Sequence, residues 1–86
     1  RWVQASGVAV HEEGDSIFLI PEAQDAIFTL DRIGQTVWAL LAEPLSIAEA
    51  ASLLAEVFPQ TGREKLERDM IRFFRTLFEQ GLVQRA

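Results

Sequence analysis

Cysteine is absent from this 86-residue chain, and so is tyrosine. The first absence removes disulfide staples, thiolate zinc sites and cysteine nucleophiles together. There is one histidine, His11. A metal centre needs several converging ligands, whereas the acids beside it (Glu12, Glu13 and Asp15) read as a solvated hairpin turn. No Gly-rich phosphate loop and no G-x-S-x-G elbow occurs, since Ser6-Gly7 and Gly14-Asp15 lack that context. Glu64, Glu67 and Asp69 read as spread over different sides of a helix, so no acid/base pair is implied. The sequence therefore predicts no enzyme, no cofactor and no metal site.

Long hydrophobic runs are missing as well. The longest falls far below the roughly 20 residues of a membrane span, and there is no signal-peptide pattern. With cysteine absent, this predicts a cytoplasmic protein without membrane contact. The chain starts at Arg1 rather than Met, as a piece of a longer protein would.

Positive charge is scarce: eight Lys and Arg stand against thirteen acids, a net charge of −5. A nucleic-acid binder normally carries a basic face that neutralises phosphates. Five of the eight cations (Arg63, Lys65, Arg68, Arg72 and Arg75) fall on one predicted helix near the C-terminus. That local stripe suits a short acidic peptide better than a long duplex, so no nucleic-acid partner is expected.

What is present is apolar surface, 49% of the residues, enough for a folded chain and, at this length, for one domain over residues 1–86. Residues 2–10 read as a strand broken at Ser6-Gly7, and 16–20 as a second behind the turn His11-Glu12-Glu13-Gly14-Asp15. After a turn over residues 21–25, residues 26–30 read as a third. There Ala26, Phe28 and Leu30 share one face while Ile27 and Thr29 share the other. The short spacings favour an antiparallel meander.

Three helices follow. Asp31 is a natural N-cap for a helix over 32–42, with Ile33, Val37, Leu40 and Leu41 at core spacing and Trp38 beside them. Gly34 in its first turn costs about 1 kcal/mol relative to alanine, which points to a close backbone approach. Glu43-Pro44 ends that helix. Ser46 and Glu49 form a capping box, Leu45 its staple, for a helix reaching Val57 and burying Ile47, Ala50, Leu54 and Val57 or Phe58. Thr61-Gly62-Arg63-Glu64 reads as a second capping box opening a helix over 63–80, with Gly81 as its left-handed terminator and Leu82 folding back. Strands then helices give an α+β domain.

The last helix carries nearly two apolar rows at about 100° per residue. Leu66, Met70, Phe73 and Leu77 form one, expected to close the core. Ile71, Phe74 and Phe78 form the other, flanked by Arg68, Arg72 and Arg75. The expectation is that Phe74 is buried at the boundary while Ile71 and Phe78 line a groove. Its opposite wall would be the 26–30 strand, which at a sheet edge can pair with an extended peptide.

Three segments resemble the PqqD-like family. Phe28 to Trp38 is similar to the family's L-N-x-x-G/A-x-x-I/V-W segment, with Asp31 where the family often has Asn. Ser46-Ile47-Ala48-Glu49-Ala50-Ala51 resembles its T-V-x-E-I-A helix start. Residues 68–77 followed by Gly81-Leu82-Val83 resemble its D-V-x-x-F-L-x-x-L…G-L-V ending. The resemblance covers about residues 15–84. It implies a winged-helix-like fold, an N-terminal three-stranded antiparallel sheet followed by three helices. It also implies a recognition element for ribosomally made, post-translationally modified peptides. Such an element binds the leader segment of a precursor as an added strand. It then presents the core to a radical SAM enzyme, a cyclodehydratase or a leader protease. Carried onto this chain, the strand positions are Ile27, Phe28, Thr29 and Leu30. The helix positions are Arg68, Ile71, Arg72 and Arg75, with Phe74 and Phe78. The competing readings are a winged-helix DNA-binding regulator, disfavoured by the charge, and a subunit whose apolar row docks permanently on another domain.

Overall fold

Gly14-Asp15 folds residues 8–21 into a hairpin, with Gly14 at φ +60° as first turn residue, as a type II′ turn requires. The computed structural model describes residues 1–22 and 25–86. Of the turn expected over 21–25, Ala23 and Gln24 lie outside the described residues.

The hairpin strands are β2 (Val8–Glu13) and β3 (Ser16–Pro21), and β4 (Phe28–Leu30) adds antiparallel to β3 with Leu19 opposite Phe28 and Ile17 opposite Leu30. The three-stranded sheet therefore runs β2-β3-β4. β4 is shorter than the 26–30 strand expected, because Ala26 and Ile27 precede the pairing, but its alternation holds. Leu30 is buried and Phe28 half-buried on one face, while Thr29 is exposed on the other.

Three helices follow: α1 (Arg32–Leu40), α2 (Ile47–Val57) and α3 (Arg63–Glu79). Asp31 caps α1, its Oδ1 accepting from the Gly34 N–H at 2.7 Å. Ser46 and Glu49 form the reciprocal capping box on α2, at 3.0 and 2.9 Å. The second expected box does not form. α3 is capped by Gly62 at φ +87° with no side-chain hydrogen bond, so Thr61 and Glu64 are not its reciprocal pair. At the far end Gly81, φ +73°, closes a Schellman motif: its N–H reaches Phe78 O, and the Leu82 N–H reaches Leu77 O at 2.8 Å.

Residues 2–10 are not one interrupted strand. Gly7, at φ +78°, turns the chain so that β1 (Trp2–Gln4) leaves the hairpin sheet and pairs antiparallel with β5 (Val83–Arg85). β5 is unforeseen; the residues after Gly81 read only as a helix ending. The two-stranded sheet packs on the helices through Leu45, bridged to Trp2 by two 2.8 Å backbone hydrogen bonds.

The core joins Leu19 and Leu30 of the sheet to Val37, Trp38 and Leu41, to Ala50, Ala51 and Leu54, and to Leu66, Met70, Phe74 and Leu77 of α3. Here one of two neighbours departs from expectation: Phe74, 2% exposed, is buried as expected, while Phe73, expected to close the core, is only half-buried. Met70 sits one helical turn before both, three residues from Phe73 and four from Phe74. The positions of α2 and the sheet around α3 therefore decide which ring goes in. Among the described residues no helix is long and apolar enough to cross a membrane.

Candidate functional site

β4 is the outermost strand of its sheet, and among the described residues β3 is the one strand that pairs with it. In an antiparallel pair each residue directs its N–H and C=O to the same side, and the side alternates along the strand. Part of the β4 backbone therefore faces away from β3 without a strand partner. Ile27, just before it, is 68% exposed.

Beside that edge lies a groove of about 410 Å³ between β4, the start of α1 and α3. Its floor is apolar: Phe28, Ile33, Gly34, Met70 and Phe73. The Phe28 and Phe73 rings stand 6.5 Å apart, tilted by 46°, so the floor is aromatic on two sides. The rim carries Thr29, Asp69, Arg72 and Thr76. Asp69 is held by Lys65 Nζ at 2.9 Å. That hydrogen bond chiefly, helped by the charges of Lys65, Arg72 and Arg68, keeps its carboxyl below the usual range. The Thr76 hydroxyl donates to Arg72 O at 3.1 Å. The Arg72 guanidinium has no ion pair among the described residues, which leaves it the rim group most open to a new partner.

The groove unites some of the expected residues and separates others. Phe28, Thr29 and Arg72 line it. Leu30 is buried and offers backbone alone, with its C=O already accepting from Gln35 Nε2 at 3.2 Å, and Phe74 is enclosed in the core. Ile71 and Phe78 point to the opposite flank of α3, 49% and 53% exposed, where the Phe78 ring meets Trp2 at 5.3 Å. Arg85 also lies over the Trp2 ring, with 5.6 Å from guanidinium to ring centre. Arg68 and Arg75 lie on the exposed crest between the flanks, outside the groove lining.

Asp69, Phe73 and Thr76 are groove residues that the sequence reading left out. With Arg72 they follow i, i+3, i+4, i+7 spacing, one helix face, but the row is mixed in polarity. A search for apolar rows passes over it. His11 lies across from Phe18, their rings 6.4 Å apart, and among the described residues no group of His, Cys, Asp and Glu is placed to hold a metal ion.

The family described as coenzyme PQQ synthesis protein D, PqqD, matches residues 7–83. The chain belongs to the PqqD family. Comparison with curated proteins finds no match. Two solved structures share the fold of this PqqD-family chain. One is TbiB1 in complex with the TbiA(beta) leader peptide, 24% identical with a TM-score of 0.82, covering 95% of this chain and 94% of that one. The other is a lasso peptide synthetase B1 complexed with the leader peptide, 18% identical with a TM-score of 0.81 and 96% of each chain covered. At these identities the likeness is one of fold.

Proposed function

We propose that this PqqD-family chain binds the leader segment of a ribosomally synthesised precursor peptide and presents it to a modifying or processing enzyme, without catalysing a step itself. The observation that carries the proposal is the free edge of β4 beside an apolar groove walled by α3. Family membership and the leader-bound state of both fold neighbours support it.

The leader adds as a strand along Ile27, Phe28, Thr29 and Leu30, and its inward side chains enter the groove toward Phe73. Magnitudes divide the labour. A few strand hydrogen bonds contribute roughly 0.5–1.5 kcal/mol each, whereas micromolar affinity needs about 8 kcal/mol net. Burying an apolar anchor adds about 1.5–3 kcal/mol per side chain. Affinity and selectivity thus rest on the side chains in the groove, and the strand pairing sets register. Arg72 at the rim orients an acidic leader residue; an exposed ion pair of that kind contributes about 0–1 kcal/mol. Holding the leader raises the effective concentration of the core peptide near the enzyme. A radical SAM enzyme, a cyclodehydratase or a leader protease, in the cytoplasm, fits this role.

Fluorescence anisotropy with a labelled leader from the precursor encoded alongside the chain, run against duplex DNA over a range of salt, tests the reading. Leader binding should persist, whereas duplex binding through several phosphates would fall by orders of magnitude. Thr29→Pro, checked for folding by circular dichroism, should abolish leader binding by disrupting the edge strand. A duplex that binds while the leader does not would sink the proposal.

A further inference from the structure

Gly34 is the one glycine of α1, and nothing in its backbone demands glycine. It sits in an ordinary helical conformation, unlike Gly7, Gly14, Gly62 and Gly81 with their positive φ angles. A glycine in such a place weakens the helix relative to alanine. The surroundings explain its presence. It is buried, it lines the groove, and a methyl group added to it would meet three atoms. These are Asp31 Oδ1 at 3.1 Å, Leu30 Cδ2 at 3.2 Å and Phe73 Cζ at 3.3 Å. The neighbours differ in their freedom to move. Asp31 is fixed by capping the Gly34 N–H, and Leu30 is enclosed in the core. Asp31 also lines the groove, but moving it would break that cap, whereas the half-buried Phe73 ring can shift into the open groove without losing a hydrogen bond.

We propose that Gly34 is a specificity-determining residue. Its missing side chain lets the Phe73 ring lie back against α1 and so sets the depth of the socket between Phe73 and Phe28. A peptide anchor of large apolar or aromatic type is then admitted. A methyl group at position 34 pushes the Phe73 ring toward the groove by a few tenths of an ångström, because that is the direction in which space is available, and the shallower socket then favours a smaller side chain. Close-packed interiors register a change of one methyl group. The inference rests on the leader-binding reading and adds to it which residue governs the size of the accepted side chain.

The test needs no knowledge of the natural leader. A display library of short randomised peptides is selected in parallel against the wild-type chain, Gly34→Ala, Phe73→Leu and the double variant, with Thr29→Pro as control. The wild type should yield a consensus with a bulky apolar residue at one position. Gly34→Ala should shift that position alone to small residues, Phe73→Leu should shift it toward larger ones, and the double variant should return it to the wild-type size. Anisotropy on single peptides should then show discrimination between bulky and small anchors changing by about tenfold or more. If Gly34→Ala does not fold, the double variant compared with Phe73→Leu decides, since there the added methyl has room and should still shift the anchor to smaller residues. An unchanged anchor in both single variants, or equal loss at every position, overturns the proposal. Failure of the leader-binding reading looks different: the wild type itself yields no consensus, or a folded Thr29→Pro recovers the same peptides, and the proposal then falls with it.

Discussion

Phe73 and Phe74 are chemically identical neighbours with opposite tasks. Phe74 is enclosed among core residues and Phe73 floors the groove against Phe28. Truncating them should separate stability from binding. Phe74→Ala should lower unfolding stability by about 3–5 kcal/mol, the range for a buried aromatic. Phe73→Ala should cost clearly less, yet reduce leader affinity about tenfold, as expected when an apolar contact of roughly 1.4 kcal/mol or more is lost. Urea denaturation and peptide anisotropy on the same two variants check both halves. Equal losses of stability, or retained affinity in Phe73→Ala, would place the groove elsewhere.

At the scale of elements, α3 has two flanks that no single apolar row describes. One flank meets β4 and α1 with Phe73, Asp69 and Thr76, and the other exposes Ile71 and Phe78 beside Trp2. The double change Ile71→Ser and Phe78→Ser should therefore leave leader affinity within about twofold, since neither side chain borders the groove and exposed substitutions shift little. Arg72→Glu should weaken an acidic leader while leaving a neutral one bound, because it reverses charge at the rim. A tenfold loss in the serine double variant would mean that the peptide crosses the crest of α3 as well. The placement of β4 matters equally. As an edge strand beside this flank it has somewhere to accept a partner, and as a central strand it would have none.

Across the whole molecule, the segments at the two ends of the chain hold one another in place. β1 and β5 pair, the Ala86 N–H reaches Arg1 O at 3.0 Å, and Arg1 bridges to Glu49 of α2 at 2.8 Å. The arrangement depends on Gly81, which turns the chain from α3 into β5 with Leu82 and Val83 buried. Gly81→Ala forces a side chain into the left-handed region and should cost about 1 kcal/mol or more, read as a lower urea midpoint. The Glu49 carboxyl is held below its ordinary range, first by the Ser46 backbone N–H and further by the Ser46 hydroxyl and Arg1. A depressed folded-state pKa contributes stability above the unfolded value and loses it as pH falls through the folded one. The difference in urea midpoint between wild type and Glu49→Gln should be greatest at neutral pH and shrink as the medium is acidified through the carboxylate range. A difference independent of pH would assign the effect to packing.

The sequence by itself determined what is local. Asp31 and Ser46 cap their helices, Gly14 and Gly81 turn the chain, and the period-2 and 3.6-residue patterns mark the three-stranded meander and the three helices. Each of these depends on residues within a few positions of one another, so short-range chemistry is enough. Gly34 stood out as a helical glycine and pointed to a close backbone approach, but that the groups crowding it are the side chains of Asp31, Leu30 and Phe73 only the folded chain shows. The tertiary structure decided what depends on direction around a helix and on distant partners. Phe73 stays half-buried at the groove instead of closing the core, Ile71 and Phe78 face away from the groove, β4 ends the sheet, and β5 exists because β1 lies alongside it. Two apolar residues 100° apart on one helix are equally good candidates for burial until the neighbouring elements are in place. A three-residue strand such as β5 has no pattern long enough to announce itself. The groove wall is a row of mixed polarity that forms a groove only when β4 stands opposite it.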